Sequence, residues 1–531
     1  MGKWLLVILA LAGFLRIVGL NIVPPELFGD EIDVGYQAYS LLHTGQDLYR
    51  QILPTYIRSL SEPRAPLLMY ATVPTIAAFG NTAWGVRLPS AIWGSLAPII
   101  LFLLVINTFG NWNLKIGIWA SIALAVMPWH IYYSRAAFEV VIMLNLVMLG
   151  TLLFLKKRFE LCALSFALSM YTYNTAVLFV PLWIMVLIFI SKKIPSLLSI
   201  LLFTLILTPL IYSVIFGFAS SRFNNISLTN DPDETKKMLL LRQQNPTLAG
   251  RIFINQYEAT FHRFWDNYIR SFSTEFLFVR GDPNSRQSIQ VIGQLLPLTF
   301  PFMLVGLWWL VSRKQWIWLF WLALAPIPAS LTVGGGFHAT RLFLMIPPLA
   351  VAIGAGIYQF KKSTLVSAAI VFLISIQLVW VGYYYWVYYP RVSQRWWQVG
   401  FQNAFAKLSE ISTQYSRVFI NNTYEPSLIR FLFWTKYSPV AFHRQFTTDQ
   451  AQKEIAPYYD GFTLDGKYFF GNFTETNWPS HLLPGAVYLV SQRDNIGGGW
   501  DWRTSPPDNV QVLFTSTTWD DSPIFYLVTR K

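Results

Sequence analysis

Long apolar runs separated by short polar segments dominate the first 390 residues of this chain. A helix needs about 20 apolar residues to cross the roughly 30 Å hydrocarbon core of a bilayer. Several runs are shorter than this, but all are strongly apolar. They lie at about 4–20, 88–109, 114–130, 139–155, 161–174, 175–191, 195–219, 291–311, 316–331, 341–360 and 363–386. The pattern predicts an α-helical polytopic membrane protein with about eleven transmembrane helices.

The first run follows Lys3, contains Arg16 and is not followed by a small-residue cleavage site, so we expect it to be retained as a span. Basic clusters between spans favour the cytoplasm. These clusters are Lys156-Lys157-Arg158, Lys192-Lys193, Arg313-Lys314 and Lys361-Lys362. They agree with one another if the N-terminus is cytoplasmic and Pro66–Gly80, which holds two prolines, is an interfacial helix.

This topology places three polar regions on the outer side of the membrane, away from the cytoplasm. They are a first outer loop at 21–87, a middle outer loop at 220–290, and a tail from about 390. The chain is therefore predicted to have a transmembrane catalytic domain at 1–390 and an extracytoplasmic domain at 391–531.

The tail has the alternation of a folded domain rather than low complexity. Short strands are predicted at 418–421, 486–491, 510–515 and 524–529, and helices at 393–412 and 425–437. We expect a small α/β domain on the outer face.

Composition supports the membrane assignment, with 54% hydrophobic and only 13% charged residues. A soluble domain has about a quarter charged residues. The net charge of +13 comes largely from short basic clusters between apolar runs, so nucleic acid is not an expected partner. The single cysteine, Cys162, excludes disulfides within the chain and cysteine-pair redox chemistry.

Two adjacent carboxylates, Asp30 and Glu31, begin the first outer loop soon after the first span. Such a pair can supply a general base, a cation site, or both. The alternative is a solvated loop in which Asp30 caps a helix over 31–44.

A second polar cluster, Pro128–Glu139, lies where the third span leaves the membrane and the fourth enters. Ionisable residues beside a bundle often mark a functional site. Arg135 and Glu139 share a helix face at i,i+4 spacing, so the alternative is that they pair with each other. His130 is more typical of an interfacial hydrogen bond than of a metal ligand.

A third cluster, Gly334–Arg341, is a short glycine-rich outer turn. Its His338 and Arg341 have the chemistry to hold an anionic head group, or the segment is a plain flexible turn. Arg87, at the mouth of the second span, is a further candidate, although a lone arginine there commonly extends to the interface.

Acidic and basic groups thus converge on the outer side, which suits group transfer from a phosphate leaving group. No P-loop and no GxGxxG before a soluble helix is present. Nucleotide-activated donors are not available outside the cytoplasm, so an activated group must arrive on a lipid.

Five segments, in order, resemble motifs of the GT-C fold glycosyltransferases, and the group they are most similar to is the protein O-mannosyltransferase and lipid A aminoarabinose transferase superfamily. The segments are Asp30-Glu31-x4-Tyr36-x-Ala38-x5-Thr44-Gly45, Arg64-Ala65-Pro66-Leu67 with Tyr70, Arg87-Leu88-Pro89-Ser90-Ala91, Pro128–Glu139, and His338-x-x-Arg341 followed by Pro347-Pro348. The resemblance covers residues 1–390, and the tail resembles the family only as an outer soluble domain.

The resemblance implies an inverting transferase that uses a polyprenyl-phosphate-linked sugar as donor and a glycan, lipid or protein as acceptor. It implies Asp30 as the catalytic base, with Glu31 as the neighbouring acid. It places Arg135 and Arg341 at the lipid phosphate, and His338 and Arg87 are grouped with them. The expected substrate-binding residues are Tyr36, Glu139, His130 and Tyr133.

The sequence departs from the family after Arg135, where Ala136, Ala137, Phe138 and Glu139 replace an Arg-Pro-Tyr-like segment. The need for a divalent metal ion is therefore open, with Glu31 and Glu139 as the candidate ligands. The expected location is a prokaryotic plasma membrane.

Two other classes remain as alternatives: a transporter or lipid-linked saccharide flippase, and a polysaccharide polymerase or ligase. Transporters commonly have two related halves and charges at mid-membrane, whereas the ionisable groups here gather at outer span ends. The sugar, the acceptor and the lipid carrier are not specified by the sequence.

Overall fold

In the computed structural model, the described residues are 2–60, 63–110, 114–216, 226–360, 364–447, 452–494 and 499–531. The helices within these ranges are α1 (Gly2–Ile17), α2 (Gly29–Thr44), α3 (Leu67–Phe79), α4 (Ala83–Phe109), α5 (Leu114–Ala125), α6 (Pro128–Ser134), α7 (Val140–Leu155), α8 (Phe159–Met170), α9 (Asn174–Ser191), α10 (Leu197–Ile215), α11 (Pro232–Gln244), α12 (Leu248–Phe253), α13 (Gln256–Arg270), α14 (Phe300–Ser312), α15 (Trp316–Leu324), α16 (Ile327–Ser330), α17 (Ile346–Gln359), α18 (Thr364–Tyr383), α19 (Tyr389–Val392), α20 (Phe401–Ile411), α21 (Leu428–Trp434) and α22 (Pro439–Gln445).

Each of the eleven predicted spans overlaps one or more of these helices. By length and apolarity, four described helices qualify as membrane spans: Ala83–Phe109, Asn174–Ser191, Leu197–Ile215 and Ala368–Val392. Helices α5 and α6 meet at 56° and together make a fifth candidate. The apolar helices are thus confirmed, whereas the count of eleven is not. The predicted basic cluster Lys361-Lys362 lies outside the described residues.

The first outer loop is built around α2, which carries Asp30. This helix begins one residue before Asp30, and its N-cap residue is Phe28 rather than the predicted Asp30. The backbone N–H of Gly29, the first residue of the helix, donates to the side-chain oxygen Oε1 of Gln398, at 2.9 Å. The helix ends at Gly45, whose φ of 68° is the left-handed conformation that glycine adopts freely. The interfacial segment predicted at Pro66–Gly80 forms α3.

The middle outer loop contains α11, α12 and α13. On α13, the large residues Tyr257, Phe261, Trp265 and Ile269 recur every fourth position and are exposed. A helix with such an unburied aromatic stripe fits the plane of a membrane interface. After α13 the chain passes through a π-helical turn at Glu275–Val279 and an irregular segment before α14.

The C-terminal domain holds one mixed seven-stranded sheet with the strand order β2-β3-β4-β1-β5-β7-β6. The strands are β1 (Arg417–Asn421), β2 (Lys453–Ala456), β3 (Tyr459–Leu464), β4 (Tyr468–Phe473), β5 (Ala486–Ser491), β6 (Val510–Thr517) and β7 (Pro523–Arg530). The four predicted strands are confirmed, and β2, β3 and β4 are additional. The predicted helices are shorter than expected and are represented by α20 and α21.

Glu26, in the first outer loop, fastens the C-terminal domain to the membrane domain. Its two carboxylate oxygens accept the backbone N–H groups of Gly400 and Gln402, each at 2.7 Å, at the start of α20. A carboxylate at a helix N-terminus is electrostatically favourable. Burial nevertheless raises the pKa of Glu26 to about 7.

We expect the buried Glu26 to make the protein less stable as pH rises, because ionisation of a buried carboxyl is costly. Because its native pKa of about 7 exceeds the 4.5 of an ordinary glutamate, its contribution to stability is complete below about pH 4.5 and is lost as pH rises through 7. Thermal unfolding of the purified protein between pH 5 and pH 8 should therefore show a fall in Tm that is reduced in Glu26→Gln. The exposed Glu410 provides the control, since Glu410→Gln should keep the wild-type slope. Equal slopes in all three proteins would contradict this assignment.

Candidate active site

A buried ion pair links α2 to α4. The Glu31 and Arg87 side chains are fully buried, and their two contacts measure 2.8 and 2.9 Å. Arg87 also donates to the carbonyls of Leu20, Pro24 and Glu26. All five N–H bonds of a guanidinium are thereby used. The lipid-phosphate role expected for Arg87 stays a prediction.

Arg135 makes similar hydrogen bonds to backbone carbonyls at the end of α1. Its two terminal nitrogens donate to the carbonyls of Leu15, Val18, Gly19 and Val23, at 2.8–3.1 Å. The last carbonyls of a helix have no partner within the helix, and a cation there is favourable. Arg135 is 1% exposed and also lies over the rings of Tyr385 and Trp386. These contacts hold Arg135 in the interior beside the end of α1, and its expected role at the lipid phosphate stays a prediction.

Of the other predicted residues in the Pro128–Glu139 cluster, His130 and Tyr133 lie in the core, whereas Glu139 lies near Arg64. His130 is buried and contacts Arg16 through Nδ1 at 2.9 Å. Tyr133 is also buried and shares a hydrogen bond of 2.8 Å with Thr340. The predicted substrate residue Tyr36 donates to the carbonyl of Tyr437 in the C-terminal domain.

Three carboxylates surround one buried guanidinium, that of Arg64. Its nitrogens lie 2.6 Å from Asp30, 3.4 Å from Asp33 and 3.6 Å from Glu139. The Asp33 and Glu139 side chains are nearly buried, whereas the Asp30 side chain is 48% exposed. Burial raises the pKa of Asp33 to about 6 although Arg64 opposes the shift. Asp30 is thus the member of this cluster that solvent can reach.

Asp30 opens into a cavity of about 500 Å³ between the first outer loop and the C-terminal domain. A third segment contributes Arg286, which lines the same cavity. The Arg286 guanidinium lies 4.8 Å from the ring of Phe28, and its buried Nε has no hydrogen-bond partner in the described part of the chain. A partly buried cation with an unused donor is a suitable place for an anionic ligand.

The segment that carries Arg286 is held on two sides. Tyr389 donates to the carbonyl of Ser285 at 2.6 Å. Asp282 accepts the backbone N–H groups of Asn284 and Ala339, each at 2.8 Å. Burial raises the pKa of Asp282 to about 6. These bonds keep Arg286 at the edge of the cavity.

The glycine-rich turn adjoins this segment, because Ala339 belongs to it. Within the turn, Nη1 of Arg341 donates to the hydroxyl of Thr332 and the carbonyl of Val333, at 2.7 and 2.9 Å. His338 and Arg341 are half-buried. The turn therefore packs beside the segment that carries Arg286.

Each of the two candidate metal ligands, Glu31 and Glu139, lies beside an arginine. Both oxygens of Glu31 are taken by Arg87, and one also accepts the backbone N–H of Ala137 at 2.9 Å. Glu139 shares Arg64 with two aspartates. Among the residues in the described ranges, no three His, Cys, Asp or Glu side chains are grouped as a metal site. Arg87 thus neutralises Glu31, whereas Asp30, Asp33 and Glu139 share the single positive charge of Arg64.

The whole chain resembles solved structures of one membrane enzyme. The crystal structure of ArnT from Cupriavidus metallidurans bound to undecaprenyl phosphate matches 99% of this chain and 98% of its own chain. The identity is 12% and the TM-score is 0.53. The apo crystal structure of ArnT gives a TM-score of 0.54 at 11% identity over the same shares of both chains. This chain has the ArnT fold. The GT-C fold predicted from the sequence is confirmed, whereas the identity is too low to establish the reaction.

An oligosaccharyltransferase from Archaeoglobus fulgidus, solved with Zn and sulfate, is less similar to this chain than ArnT. It matches 81% of this chain and 61% of its own length, with 11% identity and a TM-score of 0.49. No family model and no curated protein matches the sequence. The ArnT fold therefore rests on structure, including the C-terminal domain for which the sequence showed no specific motif.

Four residues of the site were missed or not assigned a role from the sequence. Asp33 could have been found, because i,i+3 spacing places it on the same face of α2 as Asp30. Arg64 belongs to the second of the five motifs, but the sequence indicates no role for it. Glu26 and Arg286 lie in irregular segments of the ArnT fold, where no periodicity marks a side chain as buried or functional.

Proposed function

We propose that this protein is a membrane glycosyltransferase that transfers a sugar from a polyprenyl-phosphate donor to an acceptor hydroxyl on the outer face. The observation that carries this proposal is the shared cavity of Asp30 and Arg286. One residue supplies an accessible carboxylate and the other a partly desolvated cation. A transferase with a phosphate leaving group needs both.

The proposed reaction is a direct displacement at the anomeric carbon. The acceptor oxygen forms a bond to C1 as the bond from C1 to the phosphate oxygen breaks. The bonding electrons leave with the lipid phosphate, and the acceptor proton passes to Asp30. One displacement inverts the configuration at C1. Arg64, at 2.6 Å from Asp30, orients that carboxylate for proton transfer.

The departing phosphate is assigned to Arg286, with Arg341 and His338 on the adjacent turn. In this scheme Arg87 and Arg135 hold the backbone around the site, since Arg87 donates to Glu31 and three carbonyls and the terminal nitrogens of Arg135 donate to four carbonyls. A guanidinium suits phosphate, since its parallel N–H groups match two phosphate oxygens. The unused Nε of Arg286 is available for such a contact.

An apolar cavity of about 380 Å³ provides room for part of a prenyl chain. Its walls come from α1, α5, α17 and α18. Leu295 and Leu296, on the segment that carries Arg286, complete it. The solved ArnT structure bound to undecaprenyl phosphate has the same fold, which supports a lipid-phosphate ligand for this chain.

We expect Arg286→Ala to weaken binding of undecaprenyl phosphate by roughly 10- to 100-fold, the usual effect of losing a hydrogen bond to a charged group. Titration of the lipid phosphate into protein in nanodiscs measures this change. Arg280→Ala is the matched control, because Arg280 lies in the same segment with a 78% exposed side chain. Equal affinity in wild type, Arg286→Ala and Arg280→Ala would remove Arg286 from the donor site.

Transport or flipping of a lipid-linked saccharide is the less favoured function. The accessible charges gather under a folded outer domain and not at mid-membrane, where transporters bind their substrates. A polymerase or ligase would share the donor chemistry. A turnover that does not depend on Asp30 would distinguish such a polymerase or ligase from the proposed enzyme.

A further inference from the structure

The C-terminal domain forms one wall of the Asp30 cavity. Asn422 and Glu425 follow β1, Phe446 follows α22, and Phe462 lies on β3, and all four line the cavity. We call these four residues the domain wall. The opposite wall holds Asp30 and Asp33 of α2. Any acceptor that reaches Asp30 through this cavity therefore meets the C-terminal domain.

The polar groups of the domain wall have unused hydrogen-bonding capacity. The Glu425 side chain is 42% exposed, and its nearest cation, Arg430, lies 3.9 Å away. Asn422 accepts the N–H of Ser427 at 2.9 Å through its amide oxygen. Its amide NH2 has no partner among the residues that the structure describes. One acceptor-rich group and one donor group thus face the same space.

Arg430 adds a second unsatisfied group behind this wall. It lines the cavity, is 3% exposed, and its Nε has no hydrogen-bond partner within the described ranges. Its Nη2 donates at 2.6 Å to Gln398, the same oxygen that accepts the N–H of Gly29 beside Asp30. Gln398 therefore connects Arg430, behind the domain wall, to the start of the helix that carries the proposed base.

The aromatic residues of the domain wall are packed against one another and against Phe470. Phe462 stacks on Phe470 with ring centroids 5.4 Å apart, and Phe446 meets Phe462 edge-on at 5.8 Å. A sugar ring has an apolar C–H face that packs on aromatic carbon, while its hydroxyls bond to carboxylates and amides. The domain wall offers both kinds of contact within one cavity.

A peptide acceptor fits this cavity less well. Extended peptides commonly bind by adding a strand to the edge of a sheet. The edges of this sheet are β2 and β6, and no residue of either lines the cavity. Recognition here has to use side chains, which suits a polyhydroxylated ring.

We propose that the domain wall binds a sugar ring of the acceptor, so that the acceptor is a saccharide or a lipid that carries one. This inference rests on the proposed transferase function and adds its acceptor class. Glu425 accepts hydroxyl protons from the ring, Asn422 donates to ring oxygens, and Phe462 packs against its apolar face.

The test compares fluorescent trisaccharides of mannose, glucose and galactose with Ser/Thr peptides, each titrated into the full-length protein in nanodiscs without donor. At least one trisaccharide should bind, and Glu425→Gln should weaken it about tenfold or more, as expected for a hydrogen bond to a carboxylate. Glu410→Gln, at a carboxylate on the far side of α20, is the control. Binding of peptides alone, of neither class at millimolar concentration, or of trisaccharide equally well by Glu425→Gln overturns the proposal.

Kinetics then separate the acceptor from the donor sugar. In the transfer assay, Glu425→Gln should raise the KM for the acceptor about tenfold and the KM for the donor less than twofold. A rise in donor KM alone would assign the domain wall to the donor sugar and overturn the proposal. Trisaccharide binding without any transfer by wild type would instead refute the transferase function, so the two failures are distinguishable.

Discussion

Asp30→Asn is expected to lower the transfer rate on the order of a thousandfold, the usual contribution of a general base. The amide keeps the shape of the side chain but cannot take the acceptor proton. The Asp30 side chain is 48% exposed, so the change should leave folding and donor affinity near wild type. The measurement is kcat for sugar transfer by purified protein, with Kd for undecaprenyl phosphate determined on the same samples.

A matched control exists on α13. Asp266 also pairs with an arginine, Arg270, at 2.8 Å, and its side chain is 54% exposed. Asp266→Asn should transfer sugar at the wild-type rate. If Asp30→Asn also retains most of its kcat, Asp30 is not the base.

Glu31→Gln is expected to destabilise the protein by about 3–5 kcal/mol, because it leaves the buried charge of Arg87 without its partner. The substitution also distinguishes two roles for Glu31. If Glu31 only holds α2 against α4, activity should fall in proportion to the folded fraction. The free energy of unfolding in mixed detergent micelles and the specific activity of the folded fraction are the two measurements.

The exposed pair of Arg503 and Asp521, 2.7 Å apart, provides the contrast for Glu31→Gln. Asp521→Asn should have no measurable effect on stability, since exposed ion pairs contribute little. A stable but inactive Glu31→Gln protein would show instead that Glu31 takes part in the chemistry.

The apolar helices could be predicted because hydropathy alone determines them. The strands of the C-terminal domain were harder. β3 and β4 pair through Gly461 and Gly471, and a Cβ at either position would lie within about 2 Å of a carbonyl oxygen on the other strand. Glycine is uncommon in strands. The close approach of β3 and β4 requires glycine at these two positions, and glycine interrupts the residue pattern from which strands are usually predicted.

The candidate site shows the limit of reasoning from adjacent residues. Asp30 and Glu31 are neighbours in sequence, yet about 100° separates them around a helix. One side chain therefore opens into the cavity, and the other is fully buried against Arg87. Likewise, the sequence marks Arg135 as a cation near the site, and only the tertiary structure shows the carbonyls at the end of α1 that it contacts. Which arginine remains available depends on tertiary contacts that no local pattern encodes.

The most direct test of the central claim is sugar transfer by the purified protein in liposomes. Synthetic polyprenyl-phosphate sugars are supplied as donors, saccharides as acceptors, and release of polyprenyl phosphate is measured. We predict that at least one donor is consumed with glycosylation of an acceptor by wild type and by Asp266→Asn, but not by Asp30→Asn. Failure to consume any donor, or equal consumption by the Asp30→Asn protein, would contradict the account.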